Sequence, residues 1–153
     1  MDEQYIAIYD TLMQQGEMNK LCASAIRVGS GLITDYTLDF APLKELPLLP
    51  PYDIAMPTLK RGKKSTPVAV YTMSKSDEQI LYRHYRHNGY YNTSCRLQLL
   101  YDSYKVVTAC TYILSYNTDD DISVLPHDAL KSQMITAYME NGFDDCWIDK
   151  RFY

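Results

Sequence analysis

Two histidines, His84 and His87, lie three residues apart in a segment rich in histidine, arginine and tyrosine that spans residues 81–91. On a helix, this spacing places both imidazoles on one face, where they could bind a metal ion. No third ligand is evident nearby, and Arg83 and Arg86 add positive charge beside the pair. Positive side chains near the end of a helix interact favourably with the helix dipole. The pattern therefore favours a solvated helix end over a metal site, and no metal is expected.

The same segment alternates basic and aromatic residues, a pattern that could stack on bases and contact phosphates. The composition of the whole chain argues against this use. Its 153 residues include 15 Lys and Arg against 19 Asp and Glu, which gives a formal net charge of -4. Because nucleic-acid binding depends on clustered positive charge, no nucleic-acid partner is expected.

Residues near the N-terminus and the cysteines together predict a cytoplasmic protein. The first four residues include two acids, and no long apolar run follows them. Neither a signal peptide nor a membrane span is therefore expected. The four cysteines lie far apart without a CxxC pair, which favours free thiols over a disulfide framework or a zinc site; they are Cys22, Cys95, Cys110 and Cys146.

Tyrosine is unusually frequent, with 15 Tyr against 3 Phe and 1 Trp. A tyrosine supplies apolar area together with a hydroxyl that needs a partner when it is buried. Several of them could line a partly polar cavity, while others alternate on strands and cover the surface. The three consecutive aspartates within residues 117–121 could attract a hard cation, but they lack the ligand spacing of a calcium loop.

The elements that must position these residues are mainly strands. Apolar and alternating patterns predict strands at residues 5–9, 36–40, 55–60, 67–73, 91–100 and 105–115. The glycines in residues 26–33 indicate irregular or bulged backbone. A glycine-containing turn at 61–65 is predicted to join two strands. The four prolines within residues 41–52 exclude a helix and predict an extended loop that could serve as a lid or rim.

Three helices complete the predicted order. A short one is expected over residues 17–25. A second begins at Ser74, where Asp77 has the capping-box spacing, and ends near Asn88-Gly89. A third begins at Pro126 and ends at Asn141-Gly142, and the aromatic tail that follows it is expected to dock on the body. Without a strict βαβ alternation, the order predicts one α+β domain over residues 1–153 with a closed or nearly closed mixed sheet.

Several of these segments resemble the gamma-glutamylcyclotransferases. Tyr9-Asp10-Thr11-Leu12 is similar to the loop of Tyr-Gly-Ser-Leu type that follows the family's first strand. Residues 35–40, the strand at 67–71 followed by Asp77-Glu78 and Leu81, Tyr90-Tyr91, the strand at 111–114 and the helix end at 140–142 continue the resemblance in order. Each motif is weak alone, and the resemblance depends on their order over nearly the whole chain.

The resemblance implies a small β-barrel-like α+β domain with flanking helices and one pocket. The loop after the first strand would hold a carboxylate with backbone N–H groups. A glutamate would move a proton while the α-amine of the substrate attacks its own γ-carbonyl, which releases 5-oxoproline. No cofactor is implied. The implied ligand-binding residues are Tyr9, Asp10, Thr11, Leu12, Tyr85, Tyr91 and Tyr112.

The chain departs from the family pattern at two positions. Alignment on Leu81 puts Tyr85 at the position of the catalytic glutamate, and a shift by one residue puts Arg86 there. Neither residue is a useful base at neutral pH. Asp10 replaces the usual glycine of the loop. If its side chain points inward, it disfavours a carboxylate ligand. If it points outward or caps its own turn, nothing follows for the ligand.

These departures lead to one main hypothesis and two alternatives. The main hypothesis is a domain that binds a small polar ligand, an amino-acid-like molecule or an amine, without normal cyclotransferase activity. The first alternative is an active enzyme that uses a displaced acid, with Asp10 and Tyr85 as the catalytic candidates. The second is a module that binds a protein or sequesters a ligand, in which side chains would fill the pocket. A homodimer is left open.

Overall fold

The computed structural model describes residues 4–42, 55–114 and 128–152. Within these ranges, five strands form a closed barrel in the order β1-β3-β2-β4-β5. Neighbouring strands are antiparallel except for β1 and β5, which are parallel. The predicted α+β class with a closed mixed sheet is confirmed. The strands are β1 (Ile6–Ile8), β2 (Ile26–Pro42), β3 (Ala55–Thr72), β4 (Tyr90–Leu99) and β5 (Val106–Leu114).

Helix α2 (Lys75–His87) packs against β4 and carries the histidine- and tyrosine-rich segment. Its predicted ends are confirmed. The Ser74 hydroxyl accepts a hydrogen bond from the backbone N–H of Asp77 at 3.2 Å, and Gly89 adopts a φ of +89° just after the helix. The other helices are α1 (Gln15–Leu21), α3 (Asp128–Glu140) and α4 (Asp145–Phe152).

The predicted turn at residues 61–65 is wrong, because these residues belong to the long strand β3. Thr34 pairs with Ser65, and Tyr36 pairs with Arg61. Three residues of β3 therefore stand opposite Asp35 alone, whose φ is +68°. The glycine and lysines that suggested a turn form a bulge instead.

Strand β2 also joins two segments that were predicted separately. The irregularity expected in residues 26–33 is a register shift between Arg27 and Gly29 in an otherwise continuous strand. The first helix begins and ends earlier than predicted, at Gln15 and Leu21. It ends there because the Asn19 side chain donates to the carbonyl oxygens of Cys22 and Ala25, which turns the chain toward β2.

Three predictions fall wholly or partly on residues that the structure does not describe. Ala41 and Pro42 belong to β2, and the rest of the proline-rich loop lies outside the described residues. The aspartates at 119–121 and the start of the third helix at Pro126 lie outside them as well. The end of that helix is confirmed, since Gly142 has a φ of +83°.

The aromatic tail docks on the body as predicted. Phe143 is buried and its ring lies 5.8 Å from that of Tyr138 of α3, which is itself fully buried. In the described part of the chain, none of the helices has the length and apolar character needed to cross a membrane.

Candidate functional site

The candidate site lies at the C-terminal end of β1, where the chain leaves the barrel. Tyr9 is the last buried residue of this strand region, and a 3-10 turn follows from Thr11 to Met13. Asp10 caps this turn: its Oδ1 accepts a hydrogen bond from the backbone N–H of Leu12 at 2.9 Å. An aspartate favours this position because its short side chain can satisfy a backbone donor two residues later.

Donors from strands β2 and β3 and from the residue after α3 hold the carbonyl groups of the turn. The Tyr71 hydroxyl of β3 donates toward the carbonyl oxygens of Leu12 and Met13, at 2.9 and 3.0 Å. Arg27 and Asn141 also donate to the carbonyl oxygen of Met13. The carbonyl groups of the turn therefore face the protein, and its shape is fixed by strands β2 and β3 and by the residue after α3.

The second carboxylate oxygen of Asp10 points into the protein. Its Oδ2 accepts a hydrogen bond from the Tyr85 hydroxyl of α2 at 2.7 Å. Asp10 thus combines the two orientations that the sequence presented as alternatives. It caps its own turn with one oxygen and contacts the residue at the expected acid position with the other.

Tyr85 belongs to a compact group of tyrosine rings. It is 4% exposed, and its ring stacks on that of Tyr112 with centroids 4.2 Å apart and planes 11° apart. The ring of Tyr90 meets it edge-on at 5.3 Å. The Tyr90 hydroxyl donates to the carbonyl oxygen of Pro57, and the Tyr9 hydroxyl donates to that of Tyr112. Each of these buried hydroxyls therefore has a partner.

The protonation states follow from burial. Desolvation raises the pKa of the Tyr85 phenol, and the nearby Asp10 charge raises it further. Tyr85 is therefore a hydrogen-bond donor at neutral pH and not a base. Desolvation also raises the pKa of the Asp10 carboxyl, although the hydrogen bonds from Tyr85 and Leu12 oppose this effect.

The raised pKa of Asp10 predicts how stability changes with pH. The folded protein holds the Asp10 proton more tightly than the unfolded chain, whose aspartate pKa is about 3.9. The stability contributed by this proton is complete below that value and is lost as the pH rises through the raised pKa. Asp10→Asn remains neutral throughout. We expect its free energy of unfolding, measured in urea, to increase relative to wild type as the pH rises from 4 to 8.

Asp77→Asn is a suitable control for this series. Hydrogen bonds from Ser24 lower the pKa of Asp77, so its titration lies below about pH 3.9. Its difference from wild type should therefore stay constant above about pH 4.5. A difference between Asp10→Asn and wild type that is equally constant over the range would contradict the raised pKa of the Asp10 carboxyl.

The structure brings together four of the residues predicted for the site: Tyr9, Asp10, Tyr85 and Tyr112. Thr11 and Leu12 lie half-buried in the turn beside them. Tyr91 is 40% exposed, and it lies on the opposite side of β4 from Tyr90 because successive strand residues point to opposite faces. Arg86 is exposed and its guanidinium lies over the Tyr82 ring at 5.9 Å, away from Asp10.

Sequence reasoning missed two contributors, Tyr90 and Tyr71. The strand beginning at Tyr90 contains buried residues at Cys95, Leu97 and Leu99. Tyr90 and Tyr91 occupy opposite faces, and the sequence alone does not say which face α2 covers. Tyr71 could have been noticed as a tyrosine in an otherwise apolar run, since a buried hydroxyl needs a partner.

The histidines of α2 do not form a metal site with described residues. The His84 ring meets the Tyr85 ring edge-on at 5.2 Å, and His87 is exposed. Among the described residues, no group of three or more His, Cys, Asp or Glu side chains is arranged to hold a metal ion.

Comparison with solved structures identifies the fold. A gamma-glutamyl cyclotransferase superposes with a TM-score of 0.81 and 16% identity, over 97% of this chain and 86% of the other. An uncharacterized protein from Homo sapiens gives the same TM-score and identity over 98% and 86%. An AIG2-like protein from Mus musculus gives 0.56 and 16% over 78% and 82%. No protein-family model and no curated protein matches the sequence.

These likenesses show that the chain has a gamma-glutamylcyclotransferase-like fold, as the order of its motifs predicted. The likeness is one of backbone, at an identity of 16%. The ligand and any reaction must therefore be argued from the side chains at the end of β1.

Proposed function

We propose that this domain binds a small neutral or cationic polar molecule, of the amide or amine class, beside the turn at residues 9–12, and that it does not carry out cyclotransfer. One observation carries the proposal. The backbone N–H of Leu12, a donor of the kind expected to hold a ligand carboxylate, is already bonded to the carboxylate of Asp10.

The resemblance implies that this N–H would hold the carboxylate of a gamma-glutamyl ligand, and here Asp10 is bonded to it instead. A second carboxylate beside Asp10 would meet a like charge at a half-buried position, which is unfavourable. A neutral amide or an ammonium group would not meet this repulsion. The ligand expected here lacks the free α-carboxylate of a gamma-glutamyl amino acid.

The absence of a carboxyl at residue 85 supports the part of the proposal that excludes cyclotransfer. Cyclotransfer requires a group that removes a proton from the α-ammonium and returns one to the leaving amine. Tyr85 occupies the expected position of that group. Its raised phenol pKa keeps it protonated at neutral pH, so that it donates to Asp10.

A second candidate function is supported by the same contact. The Asp10 carboxylate lies 2.7 Å from the Tyr85 hydroxyl, so a carboxylate is present close to the expected position of the acid, although it comes from another element. Burial raises its pKa, as general acid–base catalysis requires. Under this reading, Asp10 is the displaced proton carrier of an active cyclotransferase. Release of 5-oxoproline by the wild-type protein from gamma-glutamyl amines, and its loss in Asp10→Asn, would establish it.

The binding proposal is tested by a pair of matched ligands. 5-Oxoproline carries a carboxylate where 5-oxoprolinamide carries a neutral amide. We expect the wild-type protein to bind the amide in preference, with chemical-shift changes at the backbone amides of Thr11 and Leu12. Asp10→Gly frees the Leu12 donor and removes the charge, so it should reverse the preference by about tenfold or more.

The control is Asp145→Asn, which removes an equal charge from an exposed position on α4. It should leave the preference between the two ligands unchanged. Tighter binding of 5-oxoproline than of the amide by the wild-type protein would contradict the proposal, because Asp10 would then not exclude a carboxylate.

A further inference from the structure

A cavity lies between α2 and the barrel, toward the N-terminal ends of α2 and β1. Its volume is about 250 Å³. The strands contribute Ile6, Cys110 and Tyr112 to its lining. Ile6 and Tyr112 are buried, and Cys110 is half-buried, so this side of the cavity is an apolar floor with one thiol.

This cavity is separate from the candidate site at Asp10. Neither Asp10 nor Tyr85 is among the residues that line it. Glu78, which does line it, precedes Tyr85 by seven residues on α2, about 10 Å along the helix axis. Tyr112 is the residue common to both regions, since its ring lines the cavity and also stacks on that of Tyr85.

The remaining lining side chains are polar. Gln4, Gln79 and Asn92 supply carboxamides near solvent, and the half-buried Tyr82 supplies an aromatic ring. Glu78 is the one charged side chain of the lining. Among the described residues, its carboxylate has no ion-pair partner, although Lys75 lies one helical turn earlier.

The thiol and the phenol near Glu78 do not offset its charge. Burial raises the pKa of the Cys110 thiol, and the charge of Glu78 adds to this effect. Burial likewise raises the pKa of the Tyr112 phenol, with Cys110 and Glu78 as further causes. Both groups are therefore uncharged at neutral pH, and the lining carries a single negative charge.

We propose that this cavity binds a small primary amine as its ammonium ion, with Glu78 as the charge partner. The carboxamides of Gln79 and Asn92 accept its remaining N–H groups, and its alkyl part rests on Ile6 and the ring of Tyr112. The guanidinium of Arg86 already lies over the Tyr82 ring, so the charge partner of the ammonium is Glu78 and not this ring.

The volume limits the size of the amine. Pockets for drug-sized ligands occupy roughly 300–1,000 Å³, so the 250 Å³ cavity suits a smaller molecule. The net charge of -4 favours the approach of a cation over that of an anion.

The experiment is an NMR titration of the full chain at pH 7 with three probes of equal length: n-butylamine, butyramide and butyrate. We expect n-butylamine to cause saturable shifts at the backbone amides of Asn92, Cys110 and Tyr112, and butyrate to cause none. Glu78→Gln preserves the shape of the side chain and should weaken n-butylamine binding by about tenfold or more. Asp145→Asn, which removes a first-turn acid from α4, should leave it within about twofold.

Three results would overturn the inference. The first is the absence of saturable shifts at the cavity residues. The second is equal affinity in Glu78→Gln and wild type. The third is binding of n-butylamine that shifts mainly the amides of Thr11 and Leu12, is lost in Asp10→Asn and persists in Glu78→Gln. That result would assign the amine to the candidate site instead. The proposal for the Asp10 site does not depend on this cavity, so either can fail without the other.

Discussion

A variant that combines Asp10→Gly with Tyr85→Glu is expected to release 5-oxoproline from gamma-glutamyl amino acids, while the wild-type protein releases none. The first change frees the Leu12 N–H, which Asp10 now occupies, for the carboxylate of the substrate. The second places a carboxyl at the position that the resemblance assigns to the proton carrier. Because general acid–base catalysis contributes roughly 10²–10⁴-fold, we expect this variant to exceed Asp10→Gly combined with Tyr85→Gln by a factor of that order, measured as 5-oxoproline by chromatography.

Both substitutions are needed for this result. Asp10 and Tyr85 are within hydrogen-bond distance of each other, at 2.7 Å. Glutamate at 85 in the presence of Asp10 would place two carboxyls together, and one of them would stay protonated. The single variant Tyr85→Glu should therefore remain close to inactive. It would also keep the negative charge that, on our proposal, excludes a substrate carboxylate.

The matched control is Asp10→Gly combined with Tyr85→Gln. Glutamine has nearly the shape of glutamate and no group that ionises near neutral pH, so this variant should remain inactive although the loop is open. Equal activity in the glutamate and glutamine variants would mean that residue 85 does not move the proton. Inactivity of both, with both correctly folded, would mean that the reacting geometry of the fold has been lost beyond these two positions.

Much of the barrel could be predicted from local patterns. The strands at β1, β4 and β5 and the capped ends of α2 follow from alternation and from Ser74 and Gly89. The structure of residues 61–65 could not be predicted correctly, because a segment of glycine and lysines is compatible with a turn and with a bulge. The pairing of Asp35 with three residues of β3 is a long-range property that the segment itself does not encode.

The sequence could predict which residues belong to the candidate site, but it could not predict the contacts between them. The sequence placed Asp10 and Tyr85 near one another through a family resemblance, and it noted that neither matches the usual residue. Their hydrogen bond depends on the distance between the end of β1 and the last turn of α2, which the barrel sets. The choice of Tyr90 over Tyr91 depends in the same way on which face of β4 is covered by α2.

The hydrogen bond between Tyr85 and Asp10 is also expected to be a major contributor to stability. Tyr85→Phe keeps the ring stacked on Tyr112 and removes the donor to Asp10. An unsatisfied buried polar group costs about 1–3 kcal/mol. Tyr85→Ala also removes the ring, and deletion of a large buried aromatic side chain costs about 3–5 kcal/mol. Since domains have a total stability of about 5–15 kcal/mol, the alanine variant should lose a large fraction of the stability of the fold.

A double-mutant cycle separates the contact from the packing. Free energies of unfolding in urea are measured for wild type, Tyr85→Phe, Asp10→Ala and the double variant, because alanine at residue 10 leaves no side-chain acceptor for the hydroxyl. If the hydroxyl acts through Asp10, the cost of Tyr85→Phe should change in the Asp10→Ala background, with a coupling of about 0.5–3 kcal/mol. Tyr82→Phe, at a half-buried tyrosine on the same helix, is the control and should cost less than about 0.5 kcal/mol.

The cycle also bears on the function of the site. A large coupling would mean that Tyr85 and Asp10 form a fixed pair, in which the carboxylate is committed to a tyrosine and to the Leu12 N–H. A carboxylate held in this way shapes a binding surface and is poorly placed to move a proton. A coupling near zero would mean that the Tyr85 hydroxyl can replace its hydrogen bond to Asp10 by one to water at little cost in stability. In that case Asp10 would be available to a substrate, and the displaced-acid mechanism would become the better account of this fold.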